Sequence, residues 1–313
     1  MPSQSLQKKE NKIAIIDIGT NTLILLIARL TGSKMQVLHD EAIITRLGQG
    51  ISQNHFFISE AMARTLAALK KFKAICDHQK VSKIIAVGTA ACRNAANANV
   101  FLNNVKKECG FKVKVISGED EAEATFSAAS RDFKKNKIIV VDIGGGSTEI
   151  IESLSTNKKT AISLPIGSVK LTEQYIRHDP IQDEEYQILE KGIDLVLQDE
   201  MDSLFEENYE RHTLIATAGT AATLATLDRK LKKYVPEKVH GYELTQAHLQ
   251  KIIVTLKALS VKDRTKLPGM EPLRADVILA GSLLLSKILT YFSKESCLVS
   301  DRGLRYGVLY QYL

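Results

Sequence analysis

The apolar positions fall first into three short runs, 12–17, 22–30 and 35–45, joined by the small turns Gly19-Thr20-Asn21 and Thr31-Gly32-Ser33. Runs of this length bounded by turn residues predict strands, and links this short predict an antiparallel meander. From residue 59 the period changes. Met62, Leu66, Leu69, Phe72 and Ile75 recur every three or four positions, which predicts a helix over 59–78 with Ser59 as its cap. A strand over 83–87, a helix over 95–108, a strand over 111–116 and a helix over 120–133 follow. Strands separated by helices predict parallel crossovers, so the first half reads βββαβαβα.

The second half restarts the pattern. Residues 13–26, IAIIDIGTNTLILL, return in kind as 138–151, IIVVDIGGGSTEII. Both place an apolar run before Asp-Ile-Gly, a small polar turn and a second apolar run. Strands are predicted over 137–142, 148–153, 160–164, 213–217 and 297–299. Helices are predicted over 169–177, 183–205, 245–259 and 273–292, with a last one from Gly303. A repeat this widely spaced points to two duplicated lobes rather than a solenoid. The lobes are expected over 1–130 and 131–300, with the charged turn 131–137 between them and the final helix, about 301–313, packing back on the first. The ligand is expected in the cleft between lobes.

Composition changes this picture little. A chain of 313 residues, 44% hydrophobic and 25% charged, is long enough for about two domains and too apolar for disorder. A net charge of +6 is compatible with an anionic partner without specifying one. The absence of Trp argues against a stacking surface for nucleic acid. No apolar run approaches the ~20 residues of a membrane span, and the amino terminus lacks an apolar leader. Cys76, Cys92, Cys109 and Cys297 form no C-x-x-C pair, so a reducing cytoplasm is the simplest expectation.

Chemistry concentrates at three turns that each follow a strand. Gly19, Thr20, Asn21 and Thr22 form the first, Gly144, Gly145, Gly146 and Ser147 the second, and Gly219 with Thr220 the third. Glycine lets backbone N–H groups close on a ligand, and consecutive N–H groups make an anion-binding nest. None of the three is a Walker A loop or a G-x-G-x-x-G fingerprint. Asp17 and Asp142 end their strands at the cleft, and Glu149 follows Ser147. Such oxygen donors suit Mg²⁺, which takes one or two protein carboxylates; the alternative is a carboxylate that accepts turn N–H bonds. Glu119, Asp120, Glu121 and Glu123 open one helix, where they favour the helix dipole; one of them at the hinge could activate water, and geometry must choose which. Arg93 follows a strand in a small-residue loop and suits bidentate phosphate binding. Lys170 and Arg274 are further cations for a phosphate chain. The seven His residues show no catalytic pairing.

The wording of these segments resembles one family. Ile16-Asp-Ile-Gly-Thr-Asn-Thr, Gly88-Thr-Ala-Ala-Cys-Arg-Asn-Ala, Ile116-Ser-Gly-Glu-Asp-Glu-Ala, Val141-Asp-Ile-Gly-Gly-Gly-Ser-Thr-Glu, Leu164-Pro-Ile-Gly-Ser-Val-Lys-Leu, Thr217-Ala-Gly-Thr, Arg274-Ala-Asp-Val-Ile-Leu-Ala-Gly and Ser300-Asp-Arg-Gly-Leu-Arg-Tyr-Gly resemble, in order, the exopolyphosphatase / guanosine pentaphosphate phosphatase (Ppx/GppA) family. The resemblance implies an α/β fold of two actin-like (ribonuclease H-like, ASKHA superfamily) lobes. It implies release of terminal phosphate from inorganic polyphosphate, or from pppGpp to give ppGpp. By motif, Glu121 would activate water, Asp142 and Glu149 would hold Mg²⁺ (or Mn²⁺), and Asp17, Arg93 and the three turns would hold phosphates. A homodimer is compatible with the superfamily; nucleic acid and membrane partners are not expected.

Two departures from the family pattern carry consequences. Thr20 and Thr22 replace serines and keep the hydroxyls, but Ile24 stands where members often have Arg. The helical extension of long members is not in this sequence, so affinity is expected to level off after a few phosphates. Rival readings are a superfamily kinase, with an adenosine pocket near Gly219 and Thr220, and a polyphosphate or alarmone sensor without catalysis.

Overall fold

The computed structural model describes residues 11–313 except 33, 134–136, 154–158, 203 and 206–208, and it leaves out the side chains of 52 and 53. The amino-terminal ten residues and the middle of the expected boundary turn therefore lie outside the described residues. The first sheet holds β1 (Asn11–Ile18), β2 (Thr22–Thr31), β3 (Lys34–Ile44), β4 (Lys83–Gly88) and β5 (Val113–Val115), in the order β3-β2-β1-β4-β5. The first three strands run antiparallel and β4 and β5 join in parallel. The second sheet holds β6 (Ile138–Ile143), β7 (Thr148–Ser153), β8 (Lys159–Leu164), β9 (Thr213–Thr217), β10 (Glu243–Thr245) and β11 (Ser296–Val299), in the order β10-β11-β9-β6-β7-β8.

The repeat is visible in the register. Asp17 pairs with Ile24 across β1 and β2, and Asp142 pairs with Glu149 across β6 and β7. The two DxG strands therefore occupy equivalent places, and Ile24 is the first-lobe counterpart of Glu149. Both central strands are apolar on both faces, as strands covered by helices on each side must be. One face of the first sheet, with Ala14, Ile16, Leu23 and Leu25, packs on Leu69 and Phe72 of the helix Ser59–His78 and on Phe101 and Val105 of the helix Ala98–Cys109.

One helix serves both lobes. Gly118–Ser130 turns Ala124 and Ala128 to Ile13, Ile15 and Leu26 of the first sheet. It turns Ala122, Phe126 and Ala129 to Ile138, Val140 and Ile215 of the second. Its run of alanines lets two sheets approach one helix. The helix Leu304–Tyr310 lies on the first-sheet side of it, with Leu304, Val308 and Leu309 in the same cluster. A side chain at Gly307 would collide with the Ala124 carbonyl oxygen.

Several boundaries differ from expectation. The stretch expected as one helix over 273–292 is a 3-10 turn, Pro272–Arg274, followed by the helix Ile278–Tyr291. Pro272 opens the 3-10 turn, and Leu273, Ala275 and Val277 carry the apolar pattern toward Ile278 without α-helical geometry. The helix Ala98–Cys109 is preceded by a short one, Ala90–Asn94, which carries Arg93. The edge strand β10 is too brief to leave a periodic signal. Among the described residues no helix is long and apolar enough to cross a membrane.

Candidate active site

A cleft of about 590 Å³ lies between the sheets and is lined by residues of both. Its floor is the pair of glycine turns. Gly19 N–H donates to the Thr22 carbonyl at 3.0 Å, and Gly144 N–H donates to the Ser147 carbonyl at 3.1 Å. The same closure thus recurs at both ends of the repeat. The turns also abut: a Cβ on Gly146 would come within 2.9 Å of Thr20 Oγ1, and one on Gly145 within 3.3 Å of the Asn21 Cβ. Small residues are required there because the two lobes nearly touch. The first turn is pinned from behind, since the Thr20 carbonyl accepts the Gly48 N–H and the Asn21 carbonyl accepts those of Thr45 and Arg46.

Of the acidic residues that line this space, three stand at the ends of elements that converge on the turns. Asp17 and Asp142 end β1 and β6, and Glu121 stands in the first turn of the shared helix. Ser117 caps that helix by accepting the Asp120 N–H at 3.0 Å. Burial separates the four acids that open it: Glu119, Asp120 and Glu123 are exposed, whereas Glu121 is buried and lines the cleft. Loss of solvent pushes the Asp17 carboxyl up to about 8, helped by the negative charges of Glu121 and Asp142 and opposed by Arg305. Burial likewise raises Asp142 to about 7. It raises Glu121 against the pull of Arg93.

The other sequence candidates divide. Glu149 is buried behind the turn, where its Oε1 accepts from Ser147 Oγ at 2.8 Å and from Ser163 Oγ at 2.7 Å. Arg93 does not line the cleft wall. Its Nη1 donates to Glu121 Oε2 at 2.7 Å and to the Ile116 carbonyl at 3.0 Å. Gly219 lines the cleft, but the hydroxyl of Thr220 is spent on the Ile143 carbonyl. Lys170 donates to the Pro165 carbonyl, outside the cleft.

Two partly buried arginines enter the site from distant segments. Arg274 reaches across from the second lobe to donate to Thr22 Oγ1 at 3.1 Å, and its guanidinium lies flat over Gly219. Burial pulls it down to about 10, still charged at neutral pH. Arg305, from the carboxy-terminal helix, makes a bidentate pair with Asp40 on β3 at 3.0–3.2 Å, and Tyr306 donates to the same carboxylate. Sequence reasoning gave Arg305 no role. The available signal was a lone cation within the apolar run Leu304–Tyr310.

The donor set can be tested for a hard cation. Among the described residues no group of three or more His, Cys, Asp or Glu side chains forms a metal cluster. Asp17 and Asp142 offer two carboxylates, and the buried Oδ1 of Asp17 has no hydrogen-bond partner. Two carboxylates with the remaining positions left to water and phosphate is the provision Mg²⁺ ordinarily takes. A bound cation would also offset the loss of solvent that holds their protons on. The residues present therefore fit such an ion. Together, glycine turns, partly buried arginines and the buried Glu121 carboxylate on one cleft can bind a phosphoryl group and accept a proton from water.

Comparison with known proteins gives a consistent answer. The model of the Ppx/GppA phosphatase family matches residues 26–313. Exopolyphosphatase 2 of Mycobacterium tuberculosis is 31% identical over 289 residues, which cover 88% of this chain and 89% of that protein. A bifunctional 3-dehydroquinate synthase/phosphatase of Fusobacterium nucleatum is 34% identical over 311 residues, 95% of this chain; the match spans only 46% of that longer protein. Among solved structures, the PPX-GPPA enzyme of Aquifex aeolicus is 36% identical with a TM-score of 0.78, covering 96% of this chain and 99% of that one. An exopolyphosphatase from Cytophaga hutchinsonii is 31% identical with a TM-score of 0.87, covering 96% and 97%. The two-lobed actin-like α/β architecture is shared along nearly the whole chain.

Proposed function

Because this chain belongs to the Ppx/GppA phosphatase family, we propose that it releases terminal phosphate from linear inorganic polyphosphate by attack of a water activated by Glu121. The observation that carries the reading is the position of Glu121. It is the one buried acid of its helix, and it faces the cleft where both glycine turns converge. A pure sensor has no need of such a group.

In this reading the N–H groups of the two turns and the hydroxyl of Thr20 bind the oxygens of the terminal phosphoryl group. Arg274 balances the charge of the units behind it. Glu121 accepts a proton from water as the water oxygen bonds to phosphorus. The bond to the bridging oxygen breaks, and the shortened chain leaves with the electron pair. Asp17 and Asp142 would hold Mg²⁺ or Mn²⁺, which supplies charge neutralisation at the phosphoryl oxygens. Glu149 holds Ser147 in place from behind the second turn.

One feature of the cleft favours a second substrate, guanosine pentaphosphate. Beyond the turns the wall is apolar, with Ile24, Ile44, Leu273 and Tyr234. That surface offers nothing to a bare phosphate chain and suits an organic end group. The decisive experiment measures phosphate release from polyphosphates of defined length, pppGpp and ATP side by side with Mg²⁺. Release from polyphosphate ahead of the other two is expected. Preference for pppGpp would select the second reading. Transfer from ATP to an added acceptor, with no hydrolysis of the others, would make the protein a kinase and overturn both.

A further inference from the structure

The lobes are tied together beside the cleft by a contact that the chemistry does not use. Arg46, in the loop after β3, sends its Nη2 to the Leu273 carbonyl and to Asp276 Oδ1 of the second lobe, both at 2.8 Å. Its backbone holds φ at +50°, in the left-handed region that side chains other than glycine seldom enter. Its N–H donates to the Asn21 carbonyl, so this loop is bonded directly to the first phosphate turn. Further along the same loop, the Gly50 N–H donates to Glu173 of the second lobe at 2.8 Å.

The partner segment is equally fixed. Buried Arg264 donates to the Ala275 carbonyl at 3.2 Å and to the Leu256 carbonyl at 2.8 Å, which holds the segment 272–276 from beneath. That segment supplies Leu273 and Arg274 to the cleft wall. Two arginines therefore cross between lobes side by side. Arg274 does so inside the cleft, to Thr22, and Arg46 does so at the surface, where it and Asp276 are each about 30% exposed.

We infer that the Arg46–Asp276 pair is a latch that restricts the cleft to short phosphate chains, and so determines chain-length specificity. The inference rests on the polyphosphate reading above. With the latch made, the lobes are bridged beside Leu273, a residue of the cleft wall, and the gap between lobes is closed at this edge. A long chain must run outward between the lobes and needs the bridge open. An exposed ion pair is weak, so it opens often enough for turnover yet biases the population toward the closed form.

The test uses the full chain with Arg46→Glu, Asp276→Arg and the charge-swapped double variant. The ratio of kcat/KM for a long-chain polyphosphate to that for tripolyphosphate is measured for each. Either single variant is expected to raise this ratio roughly two- to fivefold, the range of a surface pair, and the double variant to return it toward wild type. Asp276→Asn, which preserves shape, is expected to act in the same direction. In parallel, spin labels at Val100→Cys and Val254→Cys, exposed positions on opposite lobes, read the interlobe distance without substrate. The four native cysteines are buried and leave these labels specific. Broader, longer distances in the single variants, restored in the double, support the latch. An unchanged ratio in the single variants, or unchanged distances, overturns it. If the wild-type protein releases phosphate from neither chain, the polyphosphate reading fails and the chain-length role with it, while the distances still judge the latch.

Discussion

Arg93 and Glu121 form a partly buried ion pair, with Nη1 of the arginine 2.7 Å from Oε2 of the glutamate. The arginine is fixed in turn by the Ile116 carbonyl. Burial raises the Glu121 carboxyl and Arg93 lowers it, so the pair sets how readily this group takes a proton. Arg93 thus acts on the proposed base before any phosphate arrives.

Glu121→Gln should lower kcat by about 10²–10⁴-fold, the usual contribution of a general base, and leave KM little changed. Arg93→Ala should shift the acidic limb of the kcat/KM profile to higher pH. Without the guanidinium the carboxyl holds its proton more tightly, and only the deprotonated form accepts one from water. Steady-state kinetics across pH on both variants checks this; a limb that stays in place would remove Arg93 from control of the base.

The pair Asp17 and Asp142 predicts how stability and metal affinity vary with pH. Their carboxyls are raised from 3.8 to about 8 and about 7. In that window the folded protein binds more protons than the unfolded chain, so their contribution is fully present below about 4 and is lost as pH rises through 7 to 8. Added Mg²⁺ should offset the loss, because it binds the ionised form. The rise in Tm on adding Mg²⁺ should therefore be small at pH 6 and grow toward pH 9. Asp17→Asn should flatten this dependence. A shift in Tm independent of pH would place the ion elsewhere.

Gly219→Ala should raise KM with little loss of stability. The new methyl would occupy the position of the Arg274 guanidinium and push it from Thr22. A cation displaced from the substrate costs binding more than turnover. Kinetics with tripolyphosphate and a thermal melt of the same preparation separate these effects. A lowered Tm with unchanged KM would mean that the contact is structural only.

Gly307→Ala should destabilise the protein by about 1–3 kcal/mol, the cost of overpacking a closed interface. The obstacle is the Ala124 carbonyl, a backbone group that cannot rotate away. Because Ala124 lies on the helix that carries Glu121, kcat should fall along with the urea midpoint. A midpoint equal to wild type would show that the carboxy-terminal helix can lift off its seat.

Much of this architecture is legible in short stretches of chain. The meander 12–45, the helix at Ser59–His78 and the twin Asp-Ile-Gly turns follow from period and turn chemistry, which act over a few residues. The family resemblance named Glu121 among four neighbouring acids; residue spacing could not, because all four favour a helix start equally. Only burial against two sheets distinguishes it. The helix start at Ile278 was not legible, because Leu273, Ala275 and Val277 extend the apolar pattern back toward Pro272.

By itself the sequence determined the two-lobed plan, the three strand-to-turn junctions and the carboxylates at strand ends, because hydrophobic period, glycine and proline act locally. Tertiary structure alone decided which polar groups meet. Thr22 and Arg274 are 252 positions apart, and Asp40 and Arg305 are 265 apart. Nothing near either member of such a pair distinguishes a partly buried, partnered arginine from a solvated one. The partner is chosen by how two lobes close on a shared alanine-rich helix, and that closure depends on packing summed over the whole chain.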